Sequence, residues 1–562
     1  MPVLTYLFLL LCYLLSGYGL LTLFGMRLKA AYMITLSLLL GVAVASFIPF
    51  LLQLFYVVIT GPTVFGALLL AALLLNIPSF LQIRKEGGAA FIRRFRPSRL
   101  RVQSYELPYW LIIGFLIFVS VWRCYYLPPT SRDALSGPEA IAEYAVREQS
   151  MINSFFRIDL WSTNNQFKSP FLISLQVIYK LAGFPFGQVW LSIVFVCFVV
   201  FLYNALKEKL HPIIAGLLLL LFLMTPEIYA YTFMILYDYS NMVFYFLGLY
   251  FLFRALDYTG SSATLARSTA VPAGTASPRS PATLAFAGLL LGIATYIRSE
   301  TLVLIVLFLP LILLAQIRHG AETLDNADPA RGTSRLRLPS AAILKKIALA
   351  DVFFLLPSLI GYYLTTQLYI KYYLPVHYDI GTLVNNHLGD WQPLWQRYSD
   401  IVTRLLFGTF AIHLWGYLFY IASILFLAEL VFIRRFNRQA RNWLYAMLML
   451  YLALGILGFA LPMFNLLETT KRALFKMMPL VLLYLANNEL LLRLSRRISQ
   501  WEALPRRGSS SSQPAVAAGA GPATQKDLSA GGGAGLVTGK SVSPGGAASR
   551  PNTSSKKKSR KK

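Results

Sequence analysis

Charged residues are scarce in this chain, and their scarcity excludes most soluble folds. Asp, Glu, Lys and Arg make up 13% of the 562 residues, whereas hydrophobic residues make up 57%. Soluble domains carry roughly twice that charged share, about 25%. Apolar runs recur along the chain, and at about 20 residues each is long enough to cross a hydrocarbon core about 30 Å thick. The composition therefore predicts an all-α polytopic membrane protein.

Cysteine and histidine are also rare, which argues against two common kinds of site. The three cysteines, Cys12, Cys124 and Cys197, lie in apolar segments without pair spacing, so a disulfide framework is not expected. The five histidines are widely scattered and form neither HxxxH nor HExxH, so a His-ligated metal site is not expected. A divalent cation held by carboxylates remains open, whereas a P-loop and a GxSxG motif are absent from the sequence.

The net charge of +27 is distributed as topology-setting charge. Lys and Arg lie mostly in short connections between apolar runs and in the tail, which is typical of cytoplasmic loops and not of a nucleic-acid groove. The stretch 84–101 is rich in Arg and is expected to face the cytoplasm, together with 207–211, 255–282, 319–346 and 434–442. The opposite, outer side then receives 128–186, 229–232, 370–410 and 464–472. No nucleic-acid partner is expected.

Apolar periodicity and length predict about thirteen membrane helices. We place them at roughly 3–24, 33–59, 61–82, 108–127, 187–206, 212–228, 233–254, 283–299, 301–318, 347–369, 411–433, 443–463 and 473–493. We divide the chain into a three-helix membrane segment with a basic cytoplasmic loop, 1–105, a transmembrane catalytic domain, 106–495, and a basic cytoplasmic tail, 496–562. From about residue 506 the tail is rich in Gly, Ser, Ala and Pro, a composition typical of disorder.

The first long outer loop, 128–186, places carboxylates just beyond an apolar helix. Pro128 and Pro129 end that helix, and Asp133 follows at the expected level of the lipid headgroups. The stretch 138–154 has amphipathic spacing suited to the membrane interface, with Glu139 and Glu143 on its polar face. The apolar stretch 170–183 is too short to span and fits a re-entrant or juxtamembrane helix.

The order of these segments resembles the first outer loop of the GT-C superfamily of membrane glycosyltransferases. Its members include protein O-mannosyltransferases, aminoarabinose transferases and oligosaccharyltransferases. Three further segments add to the resemblance, which covers about 110–490: 218–256, with an outer turn, an acid and a long helix; 287–305, with a Gly-rich helix and the polar break YIRSET; and 471–486, KRALFKMMPLVLLYLA. Several branches have adjacent acids before the loop Tyr, whereas here Tyr144 follows Glu143 and Glu139.

The resemblance implies transfer of a sugar from a polyprenyl-phosphate donor, with an acidic residue of this loop as catalytic base. Asp133 is the first candidate for the base, and Glu139 and Glu143 are alternatives. Lys471 and Arg472 suit the donor phosphate, since guanidinium binds phosphate oxygens in a fork. Arg298 either lines the cavity near that phosphate or pairs with Glu300. Asp238, Glu227 and His387 are candidates for orienting the acceptor or a cation; an acid near membrane depth is a functional candidate by default.

The expected acceptor is a lipid, a glycan or a protein, and membrane lipids are further partners. The expected location is a bacterial inner (plasma) membrane, with the active site on the periplasmic or outer face. Two alternatives remain open. A transporter or flippase of a lipid-linked saccharide would need essential charges at mid-membrane, and the chain shows no clear internal repeat of the transporter kind. A polysaccharide polymerase or ligase would use large outer loops rich in Arg and His.

Overall fold

Eight stretches of the chain define the fold. The computed structural model describes residues 2–26, 28–86, 103–157, 168–257, 281–312, 341–374, 391–461 and 465–503. All of them belong to one unit, Met1–Leu504. His387, the inserts 259–280 and 320–340, most of the basic stretch 84–101 and the tail from 506 lie outside the described residues.

The regular structure of the described stretches is helical. The α-helices are α1 (Pro2–Leu23), α2 (Ala30–Leu54), α3 (Gly61–Leu75), α4 (Ile77–Glu86), α5 (Leu107–Tyr126), α6 (Arg132–Leu135), α7 (Pro138–Arg147), α8 (Pro170–Leu181), α9 (Val189–Lys207), α10 (Pro212–Leu223), α11 (Pro226–Tyr231), α12 (Tyr237–Asp257), α13 (Pro281–Ile297), α14 (Thr301–Val306), α15 (Ala341–Tyr362), α16 (Gln392–Asp400), α17 (Thr409–Trp415), α18 (Leu418–Phe432), α19 (Arg438–Ala460), α20 (Lys471–Ala473), α21 (Met477–Ala486) and α22 (Glu489–Ala503). Stretches of π-helix cover Tyr363–Tyr373, Ile401–Leu406 and Leu466–Thr470. Short 3₁₀ helices cover Ser104–Glu106, Ser154–Arg157 and Leu474–Lys476.

Several of these helices are long and apolar enough to cross a membrane. Among the described residues there are six, or up to eight if each of two bent pairs is one span. The six are Val3–Leu23, Ala30–Leu54, Ser104–Tyr126, Gly187–Lys207, Asp351–Tyr372 and Arg438–Ala460. The bent pairs are Thr409–Trp415 with Leu418–Phe432, at 104°, and Leu466–Ala486 with Glu489–Glu502, at 54°. The larger figure of about thirteen helices stays a prediction.

Apolar side chains on the outside of the bundle agree with a lipid environment. On α5, Leu111, Phe115 and Phe118 are each 64% exposed, a contiguous apolar face of a kind that soluble monomers rarely leave uncovered. Together with the long apolar helices, this face indicates a multi-pass membrane protein.

Helices approach closely where small residues meet. At the contact of α13 with α15, a Cβ atom added to Gly292 would lie 2.7 Å from the carbonyl carbon of Pro357, so only glycine fits there. Such small-residue contacts are typical of helix packing in membranes, since dispersion contacts then drive association. Helix α2 packs against α8 and α9.

The first long loop folds back onto the bundle. Helix α5 ends at Tyr126, just before Pro128 and Pro129, as the prolines predict. The apolar face of α7 does not face lipid, because Ile141, Ala142 and Ala145 are fully buried and α7 packs against α8. The apolar stripe is used for packing within the protein, and the interfacial placement of 138–154 stays a prediction. Helix α8 is buried from Pro170 to Tyr179.

Candidate functional site

Asp133 and Arg472 meet at the end of the bundle that carries the first long loop. Arg472 Nη1 donates to Asp133 Oδ2 over 2.6 Å, although the two residues are 339 positions apart in the chain. Asp133 lies on the one-turn helix α6 after the two prolines, and Arg472 lies on α20. Both side chains remain partly accessible, 29% for Asp133 and 26% for Arg472, so a ligand can reach either group.

The neighbouring cation makes a parallel pair. Lys471 Nζ lies 2.5 Å from Glu227 Oε1, and Glu227 is in the first turn of α11. Two adjacent cations of α20 thus bind two carboxylates from separate segments. These two ion pairs join three of the segments that the sequence analysis singled out, namely the first long loop, 218–256 and 471–486.

Arg298 completes this group from the polar break between α13 and α14. Its guanidinium pairs with Asp238, and its Nε lies 2.6 Å from Glu300 Oε1. Asp238 is 3% exposed, and Arg298 offsets the cost of burying this carboxylate. The break is held by Asn241, whose amide donates to the carbonyl of Ala294 over 2.6 Å. The structural pairing of Arg298 with Glu300 is therefore present, and Asp238 extends it.

Two lysines in the same region were missed by the sequence analysis. Lys168 has its Nζ 5.8 Å from the ring centroid of Tyr237, the residue before Asp238. The pKa of Lys168 is lowered to about 8, chiefly by burial; Asp133 and Asp238 oppose the shift, while Arg298 and Arg472 add to it. Lys168 is therefore within the electrostatic reach of both ion pairs.

Lys476 is the second of these lysines, and it has fewer polar contacts than Lys168. It is 1% exposed, and it makes no hydrogen bond or ion pair with any residue that the structure describes. The charges that act on it are those of Arg298, Glu300 and Asp238. A lysine inside the apolar stretch ALFKMMPLVLL was the available sequence signal, since an ionisable residue at membrane depth is a functional candidate.

We call these nine residues the charged cluster. It contains five cations and four carboxylates: Lys168, Arg298, Lys471, Arg472 and Lys476, with Asp133, Glu227, Asp238 and Glu300. The cluster therefore has one more basic side chain than it has carboxylates. An unpaired ammonium buried as deeply as Lys476 is costly, of order several kcal/mol per ion after relaxation. The arrangement is therefore suited to a bound anion.

Glu139 and Glu143 have a different set of partners. Lys180 Nζ lies 2.6 Å from Glu139 and 2.9 Å from Glu143, and the Gln176 amide donates to Glu139 over 2.8 Å. The bond from Lys180 lowers the pKa of the Glu143 carboxyl, against the opposing effect of burial. These contacts fasten α7 to α8. Among the described residues, no hydrogen bond or ion pair joins either glutamate to Asp133 or Arg472.

The second long loop also reaches the cluster through its described part. Arg397 of α16 donates to Thr470 Oγ1 over 2.5 Å, one residue before Lys471. Trp391 stacks on Phe459 with ring centroids 6.3 Å apart. His387 lies outside the described residues, so its predicted role toward an acceptor stays a prediction.

Metal binding is not favoured by the carboxylates of the cluster. Within the described ranges, no three residues among His, Cys, Asp and Glu are grouped so that they could hold a metal ion. Asp133, Glu227 and Asp238 are each bound by a different cation instead. The residues described here do not fit a carboxylate-held divalent cation. All three cysteines are buried and free.

Comparisons of the chain with protein-family models, with curated proteins and with solved structures found no match.

Proposed function

We propose that this protein is an integral membrane glycosyltransferase of the GT-C type, with a core of about thirteen membrane helices. It moves a sugar from a polyprenyl-phosphate donor to a lipid, glycan or protein acceptor at the outer face of a bacterial plasma membrane. The contact between Asp133 and Arg472 is the observation that carries this proposal. It joins an acid and a phosphate-binding cation that come from distant parts of the region resembling the superfamily.

Asp133 acts as the general base. Its carboxylate takes the proton of the acceptor hydroxyl while the hydroxyl oxygen attacks the anomeric carbon of the donor sugar. The bond from that carbon to the phosphate oxygen breaks, and its electron pair leaves with the polyprenyl phosphate. The displacement inverts the anomeric configuration. Because a lipid phosphate is a weakly basic leaving group, the reaction needs no strong general acid.

The cations of the charged cluster bind the donor phosphate and stabilise the charge that develops on it. Arg472 offers a planar fork of donors that matches phosphate oxygens, and Lys476 supplies a buried charge that has no carboxylate partner in the described structure. A phosphate that binds Arg472 competes with the Asp133 carboxylate for the same guanidinium. Donor binding thereby releases the base from its ion pair, so that the base becomes free when the donor is in place.

The test is transfer by the full-length protein in lipid nanodiscs from a panel of radiolabelled polyprenyl-phosphate sugars. Asp133→Asn keeps the shape of the side chain and removes the base, so turnover should fall by about 10²–10⁴-fold. Asp400→Asn is the matched control, because Asp400 also pairs with an arginine, Arg404, over 3.1 Å but lies outside the cluster. Its turnover should match that of the wild type.

Two outcomes would count against the proposal. Equal turnover of the Asp133→Asn and Asp400→Asn variants would remove Asp133 from the base role. Movement of the intact donor between leaflets, without release of polyprenyl phosphate, would favour the flippase alternative. Lys476 and Asp238 are buried within the protein, at 1% and 3% exposure, and the flippase alternative requires in addition that such charges lie at mid-membrane.

A further inference from the structure

A cavity that is open to the surface lies at the end of the bundle opposite the first long loop. Helix α9 begins beside the first long loop, where the Gln188 amide donates to the carbonyl of Leu127 over 2.6 Å, and it ends at Lys207. Beyond Lys207, a cavity of about 520 Å³ opens between the α9–α10 turn and helix α22. Its polar lining includes Lys207, Lys209, His211, Ser495, Arg496 and Ser499. This volume falls within the roughly 300–1,000 Å³ typical of small-molecule sites.

The walls of this cavity are fixed to one another. The backbone N–H of His211 donates to Ser495 Oγ over 2.7 Å, which ties the α9–α10 turn to α22. His211 Nε2 also lies 3.1 Å from Glu502 Oε2 near the end of α22, and His211 is buried. Ser495 Oγ is the acceptor of this bond, so the bond does not use its hydroxyl proton. The cavity is therefore formed before any ligand binds.

The lining carries an excess of positive charge. Lys207, Lys209 and Arg496 contribute three cations, and Glu208 is the one acid among the lining residues of the described structure. Glu208 is already bound by Lys29 of the α1–α2 connection, with 2.8 Å between Nζ and Oε1. Arg496 pairs with Glu489 over 2.6 Å but stays 64% exposed, so its remaining donors are accessible. Lysine and arginine beside the Ser495 hydroxyl form a donor set that suits a phosphate group, whereas the Ser499 hydroxyl donates to the carbonyl of Ser495 over 3.1 Å.

The composition of helix α22 suits a membrane surface. The helix bends by 54° from the preceding span and is amphipathic, with Arg493, Arg496 and Arg497 along its polar side. Leu494 is 45% exposed and Trp501 is 70% exposed. Apolar and tryptophan side chains beside arginines are typical of a helix that lies in the interface and attracts anionic lipids.

We infer that this cavity binds the phosphate headgroup of an anionic phospholipid from the leaflet on that side of the membrane. The same phosphate chemistry could come from a free phosphate, but the exposed Leu494 and Trp501 of α22 favour a ligand that is anchored in the bilayer. The lipid fastens α22 to the α9–α10 turn by bridging the basic residues on both. This site is independent of the proposed transferase activity.

The test counts bound lipids on the full-length protein by native mass spectrometry, with phosphatidylglycerol, phosphatidylcholine or inorganic phosphate added to detergent micelles. The wild type should retain phosphatidylglycerol in preference to phosphatidylcholine. The double variant Lys207→Gln, Lys209→Gln should bind it about 30-fold more weakly, since each cation near the surface contributes about 1 kcal/mol. The matched control is Arg434→Gln, Arg435→Gln, which removes two exposed cations from the α18–α19 connection, neither of which lines the cavity.

A second variant separates the cavity from its charge. Ser499→Trp fills the space and leaves every charge in place, so it should lower lipid retention while the thermal midpoint without lipid stays near that of the wild type. Equal losses in the two double variants would show that general surface charge attracts the lipid, and the site would be rejected. Inorganic phosphate that binds as well as phosphatidylglycerol would overturn the assignment to a lipid.

Discussion

Two sets of acids in the first long loop look alike in sequence but have different partners. Asp133 pairs with Arg472 from the far end of the chain, whereas Glu139 and Glu143 pair with Lys180 from the same loop. The first pair links separate helices and stays accessible to a ligand. The second set fixes α7 on α8, and Lys180 is 9% exposed. An acid in this loop is therefore informative about function only through the residue that it contacts.

The largest effect is expected from replacing Lys180, the cation that pairs with Glu139 and Glu143. Lys180→Met leaves Glu139, at 13% exposure, without its ammonium partner and should lower the free energy of unfolding by about 3 kcal/mol. Glu143 is 42% exposed and can be solvated by water. The loss in the free energy of unfolding should therefore lie at the low end of the range for broken buried ion pairs. Thermal unfolding in nanodiscs measures the effect.

The turnover of the variants also distinguishes Asp133 from Glu139 and Glu143. The folded fraction of the Lys180→Met protein should transfer sugar at nearly the wild-type rate, in contrast to Asp133→Asn. Adding Glu139→Gln should restore part of the lost stability, because the unpaired carboxylate is then gone. A Lys180→Met protein that is as stable as the wild type but inactive would place Glu139 or Glu143 in the catalytic role.

A smaller effect is expected from Lys476, which extends the comparison to a cation without a partner in the described structure. Lys476→Met replaces a buried charge by an apolar chain of similar length and should raise the free energy of unfolding by about 1–3 kcal/mol. The same change should raise the KM for the donor at least tenfold, because a phosphate-binding charge is lost. Stability gained together with donor affinity lost is typical of a functional site.

Lys371→Met provides the control for this substitution, since Lys371 is exposed. It should change neither the thermal midpoint nor the KM for the donor. If Lys476→Met destabilises the protein and leaves the KM unchanged, Lys476 has a structural role that the described contacts do not reveal.

Local signals in the sequence predicted much of the fold. Pro128 and Pro129 predicted the end of α5, and YIRSET predicted the break at which α13 ends at Ile297 and the chain resumes its helix at Thr301. The segment predicted at 411–433 is instead α17 and α18, bent by 104°. Its hinge residue Gly416 has a φ of 56°, a conformation that glycine adopts readily.

Partners of charged residues could not be predicted in the same way. Proline, glycine and apolar periodicity act on their own neighbours, whereas Asp133 and Arg472 are joined only because the helices between them fold as they do. Lys476 shows a second limit. Its position in an apolar stretch was visible in the sequence, but the lack of a described carboxylate partner became apparent only with the contacts in place.

The smallest expected effect is a pH dependence that arises from Lys168. The pKa of this lysine is lowered from 10.5 to about 8, so it loses its charge in the folded protein at a lower pH than in the unfolded chain. Between these two values the unfolded state binds more protons, and the free energy of unfolding should rise with pH. Donor binding should move in the opposite direction, since the neutral amine no longer attracts phosphate.

The KM for the donor should therefore increase above pH 8, by up to about tenfold per pH unit if Lys168 contacts the phosphate directly. Asp133, Asp238, Arg298 and Arg472 are the charged groups that act on Lys168. In Lys168→Arg the guanidinium stays protonated, so the increase should disappear while the turnover number is unchanged. If both proteins show the same increase in KM, another group titrates and Lys168 only fills space beside Tyr237.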